Sequence, residues 1–265
     1  MLNSLRGRGL ITNGVEMYFL SVSVCMATYN GQMFLGEQID SILSELGESD
    51  ELIIVDDSSD DGTFELLLCY AAKDTRISVH KNPFNLGVVK TFERSLFFAK
   101  NEIIFLADQD DIWMPGRVKS CLDVFESKLD VSGVVVNAEI LAFHDRTGRR
   151  FYSQGSEPTF TLVSQLYKNR IIGCCFAFRR TVLEVALPFV YGISMHDWWL
   201  GCCTLLNGRI YFLNEDKIFY RRHSNNASPA ERRVLAVVLK SRAKDAVCFA
   251  RLLLRFLSKR TRRVQ

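Results

Sequence analysis

The sequence predicts an α/β fold: a mostly parallel central sheet, helices on both faces, and an amphipathic helix at the C-terminal end. Three observations carry this. Strand-like apolar runs alternate with helix-spaced segments through the first half of the chain, the pattern of right-handed βαβ units. Three of the loops that follow apolar runs hold dense polar clusters, Thr28 to Asn30, Asp56 to Thr63 and Asp108 to Asp111. In a parallel sheet those loops share one edge, where ligands bind. Hydrophobic residues fill 48% of the 265 positions, enough for one large domain core.

Tyr18 to Ala27 reads as the first strand, and Thr28-Tyr29-Asn30-Gly31 as a turn. An amphipathic helix follows, with Leu35, Ile39, Ile42, Leu43 and Leu46 at helical spacing and Gly47 as its stop. Glu51 to Val55 is a second strand, Phe64 to Ala72 a helix, and Arg76 to His80 a third strand. The turn-rich KNPFNLG leads into a helix over Val88 to Lys100. Ile103 to Ala107 is a bounded apolar run, the signature of a buried parallel strand. Pro115 is placed in the first turn of a helix that runs to about Lys128. Gly133 to Phe143 and Ile171 to Arg179 read as strands, with a polar, irregular stretch from Asp145 to Pro158 between them. Met195-His196-Asp197-Trp198-Trp199 opens a helix that ends at Asn207-Gly208; Arg209 to Leu213 and Lys217 to Arg222 complete the strands.

Composition excludes several classes. The formal net charge is +3, too small to imply a nucleic-acid partner. The 8 cysteines form no CxxC and no zinc-spaced cluster. Most lie in apolar runs, as free, reduced thiols of a cytosolic protein do. No uncharged apolar run is long enough to cross a membrane as a helix. Neither a GxGxxG nor a P-loop is present. Residues 1–17 read as a loose, disordered leader, with Met17 an alternative start.

The sharpest chemical signal is EIIFLADQDDIWMP, Glu102 to Pro115. Carboxylates packed at a strand end repel one another and are tolerable when they face a cation. Asp-x-Asp is the oxygen-rich arrangement that hard divalent cations such as Mg²⁺ take, with water and phosphate filling the other positions.

In order and rough spacing, CMATYNG, IIVDDSSDDGT, NLG, LADQDDIWMPGRV, IIGCCFAFRR, HDWWL and YRRHSNN resemble family 2 glycosyltransferases of the GT-A, Rossmann-like fold. DQDDIW followed by HDWW is similar to bacterial rhamnosyltransferase-like enzymes of O-antigen and other surface polysaccharides. The resemblance implies a nucleotide-sugar donor (dTDP-rhamnose or a UDP-sugar), a saccharide acceptor that is lipid-linked, inversion at the anomeric carbon, and a divalent cation, Mn²⁺ or Mg²⁺. It implies a domain over residues 18–228, with nucleotide-sugar binding in 18–115 and acceptor binding and catalysis in 116–228. Asp57 is expected to hydrogen-bond the base, Thr28 and Tyr29 to line its pocket, and Asn30 to join them in binding the substrate. Asp108 and Asp110 form the DxD, with Asp110 nearest the metal. His223 is expected near the diphosphate or metal. Asp197 is expected to be the general base. Many members carry Glu-Asp where this chain has His196-Asp197, which leaves His196 without an inherited role.

The residues fit this chemistry. Transfer needs a stabilised diphosphate leaving group and a deprotonated acceptor hydroxyl, and a carboxylate at a helix start can take the proton. The helix dipole there favours ionisation, so Asp197 is expected to have a low pKa. Trp198 and Trp199 offer flat faces for stacking a sugar, one toward the cleft and the other toward the core.

Residues 229–265 form a basic tail. Arg233, Lys240, Lys244, Arg251, Arg255 and Arg262 repeat at spacings of 7, 4, 7, 4 and 7. Leu235, Val238, Leu239, Ala246, Phe249, Leu253, Phe256 and Leu257 fall opposite. A basic amphipathic helix reads as a surface element for an anionic inner-leaflet membrane, making the protein cytoplasmic and peripheral; docking of its apolar face on the domain is the alternative. Two other functions compete: a non-catalytic membrane-associated scaffold on the same fold, and a haloacid-dehalogenase-type phosphatase. The phosphatase pattern wants Thr or Val at position 112, which is Ile112.

Overall fold

The computed structural model describes residues 11–12, 15–16, 20–223 and 235–264. Near the N-terminus, β1 (Ile11–Thr12) pairs antiparallel with β2 (Val15–Glu16). This corrects the reading of 1–17 as structureless; the rest of that segment lies outside the described residues.

The first half alternates as expected: β3 (Val22–Thr28), α1 (Gln32–Leu43), β4 (Glu51–Asp56), α2 (Thr63–Ala71), β5 (Ile77–Lys81), α3 (Val88–Phe98) and β6 (Ile103–Ala107). β4 and β6 flank β3, and all three are parallel, with β5 parallel to β4 outside it. Every residue of β6 is buried, because helices cover both sheet faces; hence the unbroken apolar run. The strand order reverses between β3 and β6, and a crevice opens at such a switch point.

The second half is β7 (Ile112–Trp113), α4 (Arg117–Ser127), β8 (Val131–Ala142), β9 (Asp145–Arg150), α5 (Leu162–Tyr167), β10 (Phe176–Arg179), α6 (Leu183–Ala186), α7 (His196–Asn207), β11 (Arg209–Arg222) and α8 (Leu235–Val264). The sheet runs β5-β4-β3-β6-β10-β8-β11-β7, with β9 on β8. β10 enters antiparallel between β6 and β8, while β11 runs parallel to β8. Two-residue β7 pairs with Ile218 and Phe219 of β11. The loop at Asp108 to Asp111 is therefore anchored by β6 on one side and β11 on the other.

Several sequence expectations shift here. The two strands over 209–222 are one strand with register shifts around Asp216. The irregular stretch after Phe143 begins with β9, which folds back on β8. Residues 173–175 form a 3-10 turn before β10. Pro115 precedes the helix rather than entering it; Gly116, at φ 76°, turns the chain into Arg117. Helix α5 went unread, although Thr161 and Ser164 form a capping box at its start.

Helix α8 docks. Asp245, Cys248 and Leu252 are buried, and Phe249 and Phe256 pack on the core. Arg255, grouped by spacing with the solvent-facing stripe, instead donates to the carbonyls of Val185, Ala186 and Pro188 at 3.0, 3.3 and 2.6 Å. Lys259 donates to the carbonyl of Glu184. These cations meet the carbonyl end of α6 and the chain just beyond it. A second apolar row, Val247, Leu254 and Leu257, points to solvent, so Leu257 lies off the docked face to which spacing had assigned it. Residues 229–234 of the tail lie outside the described residues.

Docking predicts an asymmetry within α8. Leu252 is fully buried and Leu254 is 70% exposed. Leu252→Ala should cost about 2–5 kcal/mol in urea unfolding, and Leu254→Ala within about 0.5 kcal/mol. Equal, small effects would show that the helix does not pack on the domain.

Candidate active site

A cleft of about 310 Å³ opens at the carboxyl ends of β3, β4 and β6. Its wall includes Thr28, Tyr29, Asp57, Asp108, Gln109 and Asp110 from the first half, and Gly173, Met195, His196, Asp197 and Tyr220 from the second. The local sequence explains how each is held.

After β3 the chain must turn sharply under the cleft. Gln109 clamps it: Tyr29 N–H donates to Gln109 Oε1 (2.8 Å), and Gln109 Nε2 donates to the Tyr29 carbonyl (3.0 Å). A Cβ on Gly31 would lie 2.3 Å from Gln109 Oε1, so a side chain here would displace the Gln109 amide from this clamp. Asn30, at φ 48°, accepts from Asp60 N–H at 3.0 Å. It braces two loops and does not line the cleft, which corrects its expected place among the substrate-binding residues. Asp56 is consumed structurally, accepting from Thr28 Oγ1 and from the N–H and hydroxyl of Ser59. Asp57 reaches the cleft wall. Its Oδ1 accepts from Asn82 Nδ2 (2.7 Å) and Leu86 N–H (2.8 Å), and its Oδ2 from Gly87 N–H (2.8 Å). It fixes the loop before α3, and Oδ2 keeps a lone pair for a ligand.

The strand-end carboxylates are the electrostatic centre. Burial, then Asp110 and Asp197, raise the Asp108 pKa above the usual carboxylate range. Burial, then Asp110 and Asp108, push Asp111 well above it. Two arginines that sequence reasoning passed over hold this charge. Arg221 is buried; its N–H donates to Asp111 Oδ1 (3.0 Å), its Nε to the Asp110 carbonyl (2.8 Å), and its Nη2 to Glu37 Oε2 (2.7 Å). Arg117 is also buried. It lies 4.1 Å over the Trp113 ring, donates to the Cys174 carbonyl, and lowers the pKa of Asp108. The signal was a basic pair inside an otherwise strand-like YRRH, but nothing in the spacing showed that Arg221 turns inward. His223 Nε2 lies 2.7 Å from Asp110 Oδ2, and its ring packs on Phe34 at 4.9 Å.

Asp197 is the second residue of α7 and buried. Its Oδ1 accepts from Trp198 N–H at 2.6 Å. Burial raises its pKa to about 6, against opposing hydrogen bonds from Trp198 N–H and Asn169. The low value expected from the helix dipole is thus corrected: loss of water outweighs the dipole. Trp198 and Trp199 are 1% and 0% exposed. Their indole N–H groups donate to the carbonyls of Gln165 and Ala186, each at 3.0 Å. Neither lines the cleft; both are core, which corrects the expectation that one would stack a sugar.

Two donor sets suit a cation. Asp108, Asp111 and Cys174 bring ligand atoms within 4.8 Å of one another. Burial raises the pKa of both Cys174 and Asp111, which disfavours the charged forms a cation needs. Asp108 and Asp110 at the open cleft, with His223 on Asp110, offer the oxygen-rich set that Mg²⁺ or Mn²⁺ takes.

A parallel half-sheet joined to a mixed one, with an acidic cleft at the switch point, defines a protein of the GT-A class. The model of the family "Glycosyl transferase family 2" matches residues 23–187, and the chain belongs to that family. An uncharacterized glycosyltransferase of Nostoc sp. is 29% identical over 217 residues, 78% of this chain and 66% of its own. WfgD of Escherichia coli, a UDP-Glc:α-D-GlcNAc-diphosphoundecaprenol β-1,3-glucosyltransferase, is 28% identical over 73% of each chain. The dTDP-rhamnosyl transferase RfbG of Shigella flexneri is 26% identical over 76% of this chain and 72% of its own. The structure of S. aureus TarS 1-349 with UDP-GlcNAc aligns with a TM-score of 0.66 at 17% identity, covering 90% of this chain and 73% of that one; at that identity the likeness shows the fold. The chain thus spans just under two thirds of the Nostoc relative's length. Family membership sets aside the phosphatase reading.

The two cation sets make opposite predictions. With UDP present, Asp110→Ala should abolish Mn²⁺ binding in calorimetry while Cys174→Ser retains it. Loss in Cys174→Ser with retention in Asp110→Ala would assign the buried set instead.

Proposed function

We propose that the chain transfers a sugar from a nucleoside-diphosphate sugar to a saccharide hydroxyl, with inversion at the anomeric carbon. The observation that carries this is Asp197: a buried carboxylate of raised basicity, set in the wall of the same cleft as Asp57, Asp108 and Asp110. One face of the cleft comes from residues 18–115, which hold the nucleotide through Asp57, Thr28 and Tyr29. The other comes from 116–228, which presents the base to the acceptor.

In the reaction, the acceptor oxygen forms a bond to the anomeric carbon as the bond from that carbon to the diphosphate oxygen breaks. The nucleoside diphosphate leaves with the electron pair. Asp197 takes the acceptor's hydroxyl proton as the new bond forms, when the hydroxyl is most acidic. A divalent cation held by Asp110, Asp108 and His223 supplies neutralisation of the diphosphate charge when bound. Arg221 and Arg117 keep the carboxylates in place from behind.

The relatives point to dTDP-rhamnose or a UDP-sugar as donor and to a lipid-linked saccharide of bacterial surface polysaccharide as acceptor. No helix among the described residues is long and apolar enough to cross a membrane. The solvent-facing side of α8 suits a membrane surface: Val247, Leu254 and Leu257 form an apolar ridge with exposed Lys244 and Arg251 beside it. Such a helix lies in the headgroup plane. Lys244→Glu with Arg251→Glu should weaken binding to phosphatidylglycerol vesicles by about 2 kcal/mol or more, and wild-type binding should fall as salt rises. Salt-independent, unchanged binding would remove the membrane reading and leave the transferase reading standing.

The central test is Asp197→Asn. Transfer should fall on the order of 10²–10⁴-fold, with donor affinity kept. Asp197 must be ionised to accept a proton, and its pKa is raised to about 6. Wild-type transfer should therefore fall as pH drops through about 6 and level off above it; in Asp197→Asn that limb should vanish. Full transfer by Asp197→Asn would show that another group is the base, and donor binding without any transfer in the wild type would favour a scaffold.

A further inference from the structure

His196 begins α7 directly before Asp197 and lines the cleft. It is 3% exposed, and neither Nδ1 nor Nε2 has a hydrogen-bond partner. The other buried side chains with unpartnered polar atoms, such as Trp113, Arg117 and Asp245, are not in the cleft wall. Native proteins satisfy buried polar atoms, and the exceptions call for a ligand or an ordered water.

The ring is held rigidly. It stacks on Phe92 of α3, with centroids 3.9 Å apart and planes 18° from parallel. That contact orients the imidazole without using its nitrogens. Gly173 packs close against the polar edge: a Cβ there would lie 3.1 Å from His196 Nε2. Gly173 itself lines the cleft, so no side chain stands between Nε2 and the cleft at this position. Asp57, Asp108, Asp110 and Asp197 line the same cleft as His196. The sugar being transferred must sit between diphosphate and base.

We propose that His196 hydrogen-bonds a ring hydroxyl of the donor's transferred sugar, and so is a specificity-determining residue. This rests on the glycosyltransferase reading and adds to it the group that reads the sugar. Burial lowers the pKa of His196 to about 3, so the ring is neutral at working pH. A neutral imidazole carries one donor and one acceptor, which matches a hydroxyl and gives no counter-charge to an acidic sugar.

The test uses His196→Phe, which keeps the stack on Phe92 and removes both nitrogens, and His196→Asn, which returns a donor and an acceptor. UDP and dTDP alone are titrated with Mn²⁺, then UDP-glucose, UDP-GlcNAc and dTDP-rhamnose. In His196→Phe the affinity for the free nucleotide should stay within about twofold, while affinity for the intact nucleotide-sugar falls on the order of tenfold or more. His196→Asn should recover part of that loss. The melting temperature of His196→Phe without ligand should be unchanged or higher, because an apolar isostere replaces unsatisfied polar atoms. Mono-deoxy analogues of the best donor should lose affinity for the wild type but not for His196→Phe at the hydroxyl concerned. Equal loss of free nucleotide and nucleotide-sugar, or a lowered melting temperature in both variants, would show a structural histidine and overturn the proposal. So would wild-type affinity for the nucleotide-sugar in His196→Phe. If the wild type binds neither nucleotide nor nucleotide-sugar, the transferase reading fails and this one with it.

Discussion

The cleft depends on holding like charges together. Asp108, Asp110 and Asp111 follow one another on a single turn of chain, and Asp197 faces the first two from α7. Left alone, such a group would repel and open the loop. Arg221 prevents this from the far end of β11: its backbone N–H donates to the Asp111 carboxylate, while its guanidinium donates to the Asp110 carbonyl and to Glu37 on α1. One buried arginine thereby ties the loop, the last strand and the first helix. Its rigid fork suits several acceptors in fixed directions, which a lysine could not meet. Arg117 supplies a second buried positive charge, against Trp113.

The same economy separates binding groups from bracing groups. Adjacent aspartates take different work: Asp56 turns into its own loop, whereas Asp57 anchors the segment before α3 and still faces the cleft. Adjacent residues of α7 divide likewise. His196 and Asp197 face the cleft, and Trp198 and Trp199 lock the helix into the core through indole hydrogen bonds. A carboxylate positioned by two buried tryptophans has little freedom to drift, as the proposed proton transfer would require.

Helix α8 joins the second half through an apolar face flanked by polar contacts. A buried aspartate, Asp245, accepts from Ser194 N–H at 3.3 Å, and Arg255 meets carbonyls at the end of α6. Ser194 lies just before His196 and Asp197, so the helix braces the chain that brings these two residues to the cleft. A surface element docked there would couple membrane position to the acceptor side of the cleft.

Sequence alone determined the alternating first half, its parallel strands, and the edge on which Thr28, Asp57, Asp108 and Asp110 would gather. Those features are local: an apolar run of fixed length buries on both faces, and polar residues directly after it must lie at a strand end. Tertiary structure decided everything that depends on which way a side chain faces. Asn30 turned to Asp60, both tryptophans turned inward, Arg255 turned to carbonyls, and Arg221 turned beneath the acidic loop. It also reversed the expected basicity of Asp197, because burial is a property of what packs around a residue, and helix position alone cannot give it. His196 shows the limit most plainly: its stacking on Phe92, more than a hundred residues earlier in the chain, exists only once α3 and α7 meet.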